Sequence, residues 1–165
     1  MEYAHIKHGF PPVYDENSRV LILGSLPSVK SREQQFFYGH PQNRFWKVLA
    51  AVTGDTLPGS VEEKRAFLLR NRIALYDTIY ECDIAGSSDA SIRNVVPTDL
   101  SPILRTAAIA AVFTNGAASE RTYRKYHYPV TGLEAIPLPS TSPANAAWSL
   151  ERLITEWSGK IKSFL

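Results

Sequence analysis

Val20-Leu21-Ile22-Leu23-Gly24-Ser25-Leu26-Pro27-Ser28 decides how this chain folds. Its first five residues form a short, branched, apolar run, which predicts a strand buried on both faces. In an open α/β sheet, the loop leaving such a strand's carboxyl end faces the ligand crevice. Here the loop runs on for about twenty residues before helical periodicity resumes, and a loop that long in a compact domain is usually functional or disordered. Phe36, Phe37, Tyr38, Phe45 and Trp46 argue against disorder. The loop closes on Gly39-His40-Pro41-Gln42-Asn43-Arg44-Phe45-Trp46.

Working outward, four strands are expected: 19–24, 72–77, 109–114 and 133–138, the last interrupted by Pro137 and so placed at an edge. Helices are expected over 43–52, over 61–70 with Ser60 and Glu63 forming a capping box, and over a short stretch near 102–106 capped by Ser101. Further helices are expected from Asn115-Gly116 to about His127, and from Pro143 to roughly Lys160. Residues 82–97 read as a polar, irregular loop. Strands alternating with helices predict an α/β fold: three layers, α/β/α, around a central four-stranded parallel sheet, with residues 1–165 as one domain.

The chain has 165 residues, 44% of them hydrophobic and 21% charged, as expected of a soluble globular protein. No apolar stretch reaches membrane-spanning length, and the N-terminal residues lack the apolar centre of a signal peptide, so a cytoplasmic protein is expected. Cys82 is the only cysteine, which excludes an internal disulfide and argues against an iron–sulfur cluster. His5, His8, His40 and His127 form no helical metal pair, so neither metal nor cofactor is expected. The net charge of +2 is a weak sign of nucleic-acid binding. Local clusters carry more weight: Lys30, Arg32, Arg44 and Lys47 near the first loop, then Arg121, Arg124, Lys125 and His127.

Gly24-x-x-Pro27 followed by Tyr38-Gly39-His40-Pro41-x-Asn43-Arg44-Phe45-Trp46 resembles the first motif of the uracil-DNA glycosylase superfamily. The longer run from Phe10-Pro11-Pro12 through Leu26–Phe36 to Trp46 is most similar to the hypoxanthine (deoxyinosine) DNA glycosylase branch, and Leu138-Pro139-Ser140-Thr141-Ser142-Pro143-Ala144-Asn145 resembles a second family element. The resemblance implies a monomeric enzyme that flips a deaminated base out of DNA and hydrolyses its N-glycosidic bond. Hypoxanthine is the chief expected base and uracil a second. Lys30 and Lys47 only flank the first signature motif and no lysine lies inside either motif to form a Schiff base, so water is the expected nucleophile. A protein that binds damaged or single-stranded DNA without catalysis is the alternative.

By the same resemblance, Tyr38 falls where related enzymes stack an aromatic ring on the flipped base, with Phe36 as the reserve. Gly24, Ser25 and Leu26 would line the base pocket. Pro27, Ser28, Lys30, His40, Gln42, Ser140, Thr141, Ser142 and Asn145 would hold DNA, since small hydroxyls and a helix N-terminus suit phosphate. Asn43 is the expected catalytic residue, because its amide can orient water or bond the departing base. It could instead cap the helix that follows, and the two roles compete for one side-chain oxygen. Leu26 stands where the mismatch branch has asparagine and the uracil branch aspartate, and Leu138 where the uracil branch has histidine. Neither leucine can activate water. Asp77 ends the second strand near a base-reading asparagine of the uracil enzymes. It could accept from N1–H of hypoxanthine or, if protonated, donate to O6. The stretch Gly86–Asn94 also resembles the deoxyinosine branch.

Overall fold

The computed structural model describes residues 2–165. Met1, the first residue of the expected domain and N-terminal stretch, lies outside the described residues. Along the chain run β1 (Ala4–Lys7), β2 (Val20–Gly24), α1 (Val29–Gln34), α2 (Phe45–Thr53), α3 (Val61–Arg70), β3 (Ile73–Asp77), β4 (Ile79–Ile84) and β5 (Arg93–Pro97). They are followed by α4 (Ser101–Thr106), β6 (Ala111–Asn115), α5 (Ala117–Thr122), α6 (Tyr128–Thr131), β7 (Ala135–Leu138) and α7 (Leu150–Ile161).

The four expected strands form a parallel sheet in the order β3-β2-β6-β7. β2 is central and buried along its whole length, which is why it reads as unbroken apolar sequence. The connection from β2 to β3 runs one way across the sheet, and those from β3 to β6 and on to β7 run the other. With right-handed crossovers, that reversal puts α2 and α3 on one face and α4 and α5 on the other. α7 returns to the α2 face, where Trp157 meets Phe45 edge-on, with ring centroids 5.9 Å apart. The strand order therefore switches direction between β2 and β6, and ligands of such sheets bind beyond that point.

Several expectations need correction. Residues 82–97 are not an irregular loop: β4 and β5 pair antiparallel with each other, and β1 pairs with β4, forming a second, three-stranded sheet. Register shifts between β4 and β5 blur the period-two pattern, and the other partner of β4 lies at the far N-terminus. A short helix, α1, interrupts the first loop, capped by the Ser28 hydroxyl accepting from Ser31 N–H. The last helix begins at Leu150 rather than Pro143, because Ser149 is its cap and residues 143–148 are turns. The helix after Gly116 does not stop at His127. It passes through a wide turn, with Tyr128 N–H donating to Tyr123 O, and ends at Gly132. Pro129 lacks the N–H an ordinary helical turn would need there.

Two capping details also differ. Ser101 is the first residue of α4 and not its cap, and Asp99, two residues before it, accepts from both its N–H and its hydroxyl. At α3, Ser60 accepts from Glu63 N–H as expected, but the Glu63 carboxylate reaches back to Gly59 N–H.

Candidate active site

Strand register sets the site. Gly24 pairs with Asp77, and Asn115 with Leu138, so four strand ends present these residues along one edge of the sheet. The two signature loops meet above them. Arg44 draws them together: its backbone N–H donates to Thr141 O, and its guanidinium donates to the carbonyls of Thr141, Ser142, Asn145 and Trp148. Arg44 thus shapes the second loop from inside and does not offer its charge to DNA, contrary to its place in the basic cluster. The planar fork of arginine suits this many carbonyls as no lysine could.

Between the loops lies an open cleft of about 1370 Å³, larger than the usual 300–1,000 Å³ of a small-molecule pocket. Gly24, Ser25, Leu26 and Asp77 form its floor with Tyr38 and Asn115, and Asn43 stands at its side. Pro27, Ser28, Lys30 and His40 reach it from the first loop, and Ser140, Thr141, Ser142 and Asn145 from the second. Phe36 does not reach it. Its ring is fully buried and stacked on Trp46 at 6.2 Å, so its expected place in the base pocket is withdrawn. Gln42 is exposed outside the cleft lining, at the tip of the turn where its N–H donates to His40 Nδ1. Gly86, Ser87 and Asp89 line the mouth from the second sheet.

Asn43 Oδ1 accepts from Phe45 N–H at 3.0 Å and from the Thr141 hydroxyl at 2.9 Å. A backbone N–H can only donate, so the amide orientation is fixed. The oxygen serves the first N–H of α2 and the Thr141 hydroxyl, while Nδ2 bonds to no group among the described residues and Asn43 lines the cleft. Orienting a water through Oδ1 is excluded, since both lone pairs are occupied.

Tyr38 adopts a left-handed backbone, φ 50°, a strained choice for a bulky residue. Its carbonyl accepts from the Trp46 indole N–H, and its ring stacks on Phe45 with centroids 3.9 Å apart at 15°. One ring face is therefore occupied by Phe45, and Tyr38 lines the cleft. Its hydroxyl accepts from Asn115 Nδ2. Burial, helped by the negative charge of Asp77, pushes the phenol pKa well above its usual value against the opposing Asn115 hydrogen bond, so Tyr38 stays a neutral donor.

Asn115, which the sequence marked only as a turn, is the hub between loops. It donates to Tyr38 and to Thr141 Oγ1, and accepts from Thr141 N–H. Thr141 is fully buried. The other small polar groups of the second loop fold it: Ser140 Oγ accepts from Ser142 N–H, Ser142 Oγ from Ala144 N–H, and Asn145 donates to Ser140 O. The serine hydroxyl protons remain free to donate outward. Gly24 must be glycine, since a Cβ there would lie 2.5 Å from Asp77 Oδ1 and 2.8 Å from the Tyr38 hydroxyl.

The two leucines have structural work. Leu26 packs on the small apolar cluster of Ile79, Cys82 and Ile84, tying the first loop to the second sheet. Leu138 is buried at the end of β7. Asp77 is nearly buried, and its Oδ2 lies 2.8 Å from His8 Nε2. His8 was missed because its partner is 69 residues away.

Arg32 and Arg121 also line the cleft, and neither pairs with a carboxylate among the described residues. Arg124 is paired with Glu120 and Glu134, and His127 is buried against Thr78 O, so the second basic cluster contributes only in part. Among the described residues, no group of three or more His, Cys, Asp or Glu could hold a metal ion. No helix there is long and apolar enough to cross a membrane.

A three-layer α/β/α sheet with an open cleft at its switch point defines the class. A sequence profile of the uracil DNA glycosylase superfamily matches residues 11–158, and the chain belongs to that superfamily. It is 36% identical over 156 residues to a hypoxanthine DNA glycosylase of Methanosarcina acetivorans, covering 92% of this chain and 96% of the relative. A hypoxanthine DNA glycosylase of Methanosarcina barkeri is 40% identical over 89 residues, which is 53% of this chain and 56% of that one. Among solved structures, a candidate uracil DNA glycosylase from Methanosarcina acetivorans, determined by solution NMR, matches with a TM-score of 0.81 at 34% identity. That match covers 96% of this chain and 98% of the other.

Proposed function

We propose that this chain is a monofunctional DNA glycosylase that excises hypoxanthine. The observation that carries the substrate is the similarity, over nearly the whole chain, to a protein named for that base. The cleft chemistry supports it. A base stacked in duplex DNA is out of reach, so the nucleotide must be flipped into the cleft at a cost of about a few kcal/mol. The free face of Tyr38 receives the purine, and Asp77 Oδ1 accepts from N1–H. Asn43 Nδ2 donates to the departing base as the bond between C1′ and N9 breaks and its electron pair leaves with the base. Water then bonds to C1′ of the oxocarbenium-like sugar, and the proton it releases neutralises the departed base. The reaction so written calls on no metal and no partner chain. Arg32, Arg121, Lys30 and the hydroxyls of Ser140 and Ser142 grip phosphate, which makes affinity fall with salt.

A second reading, a DNA-binding module without turnover, is favoured by Leu26 and Leu138 at the two positions where the uracil branch carries reactive side chains. One experiment separates them. Oligonucleotides bearing hypoxanthine, uracil, xanthine or a thymine mispair are incubated with the protein, and abasic sites are then cleaved with alkali. Strand breaks at hypoxanthine are expected. Binding without breaks on any base selects the module.

A further inference from the structure

We propose that His8 is a positioning residue that sets which base edge the cleft reads, by holding Asp77 as a hydrogen-bond acceptor. This rests on the base-reading role given to Asp77 above. His8 follows β1, and its backbone N–H donates to Tyr80 O of β4, so the second sheet delivers the ring to the back of Asp77. The His8 side chain is wholly buried and does not line the cleft, so it reaches a ligand only through Asp77. The rings of Phe10, Tyr76 and Phe37 surround it, with centroids at 4.4, 5.1 and 6.0 Å.

The placement of one proton decides the chemistry. His8 Nδ1 is buried without a hydrogen-bond partner. A proton there would be a donor stranded among aromatic rings, and with a neutral ring Asp77 would then have to be protonated to bond Nε2. With the proton on Nε2, a carboxylate accepts it and only a lone pair goes unmatched. An unmatched acceptor is the more tolerable of the two. In that arrangement Asp77 Oδ2 is committed to His8. Oδ1 bonds to no group among the described residues and stays within reach of the cleft that Asp77 lines. Hypoxanthine presents N1–H to such an acceptor, whereas adenine presents a lone pair at N1. The base choice of the cleft is therefore written one residue behind it.

The test uses the full chain and single-turnover excision from a deoxyinosine oligonucleotide, with melting curves on every variant. His8→Phe keeps the ring in its aromatic cage and removes the donor, and His8→Gln keeps an N–H at a similar reach. The expected results are a loss of about tenfold or more in His8→Phe and a rate within about threefold of wild type in His8→Gln. His8→Phe should cause no further loss on top of Asp77→Asn. Losses that multiply in the double variant, a His8→Gln as slow as His8→Phe, or a folded His8→Phe at wild-type rate would each overturn the proposal. If His8→Phe does not fold, the ¹⁵N signals of the wild-type His8 ring decide, with the proton expected on Nε2 and a proton on Nδ1 overturning it. A wild-type protein that leaves hypoxanthine in place defeats the substrate reading instead, and the ring signals still judge His8 and Asp77.

Discussion

The Thr141 hydroxyl donates to Asn43 Oδ1 at 2.9 Å, joining two loops 98 residues apart in sequence. Together with Phe45 N–H it fills the asparagine oxygen and turns the amide nitrogen to the cleft. Thr141→Val keeps the shape of a fully buried side chain and removes this bond and the one from Asn115. Stability should fall by about 1–3 kcal/mol, since polar partners are left unmatched in the interior. Excision should slow by about tenfold, because Asn43 loses one of its two anchors. Urea melts and single-turnover rates check both; an unchanged rate would show that the loops need no hydroxyl between them.

Gly24→Ala places a methyl against Asp77 Oδ1 and the Tyr38 hydroxyl. Both groups must move, so excision should drop by about 10²-fold, the scale of loss from a displacement of about 1 Å in a reacting geometry. DNA affinity, set by phosphate contacts away from the cleft floor, should change little. Parallel measurement of binding and rate tests this, and equal losses in both would count against a floor role for Gly24.

The parallel sheet, its strand ends and the two signature loops were legible in the sequence because unbroken apolar runs and the motif residues are local signals. β7 was placed at an edge correctly because Pro137 cannot donate to a neighbouring strand. What was not legible depends on distant partners. β1 becomes a strand only by pairing with β4, with Ala4 opposite Ile84. His8 and Asn115 acquire roles only from Asp77, Tyr38 and Thr141. Phe36 was misjudged because three consecutive aromatics carry no mark of which of them face the cleft, as Phe37 and Tyr38 do. Arg44 was misjudged because charge alone does not reveal a fork of backbone carbonyls.

Burial holds the His127 pKa below the usual 6.5, against the opposing pull of the Thr78 carbonyl and the charge of Asp99. The unfolded chain then takes up a proton at a higher pH than the folded one. The His127 contribution is fully present above about pH 6.5 and is lost as pH falls towards the lower folded value. His5, raised by its hydrogen bonds to Asp83 and Glu81, works in the opposite sense. Comparing urea midpoints of wild type and His127→Gln between about pH 7 and pH 5 isolates the effect, and the variant should show the shallower acid-side decline. Identical slopes would remove His127 from the account.

Asn43 Nδ2 is the proposed catalytic donor. Asn43→Asp keeps an oxygen for Phe45 N–H and the Thr141 hydroxyl and replaces the donor facing the cleft by a charged acceptor. Single-turnover release of hypoxanthine at saturating enzyme should fall by about 10²-fold or more in this variant, with the melting temperature close to wild type. A folded Asn43→Asp protein that excises hypoxanthine at the wild-type rate would contradict the assignment of that amide as the catalytic donor.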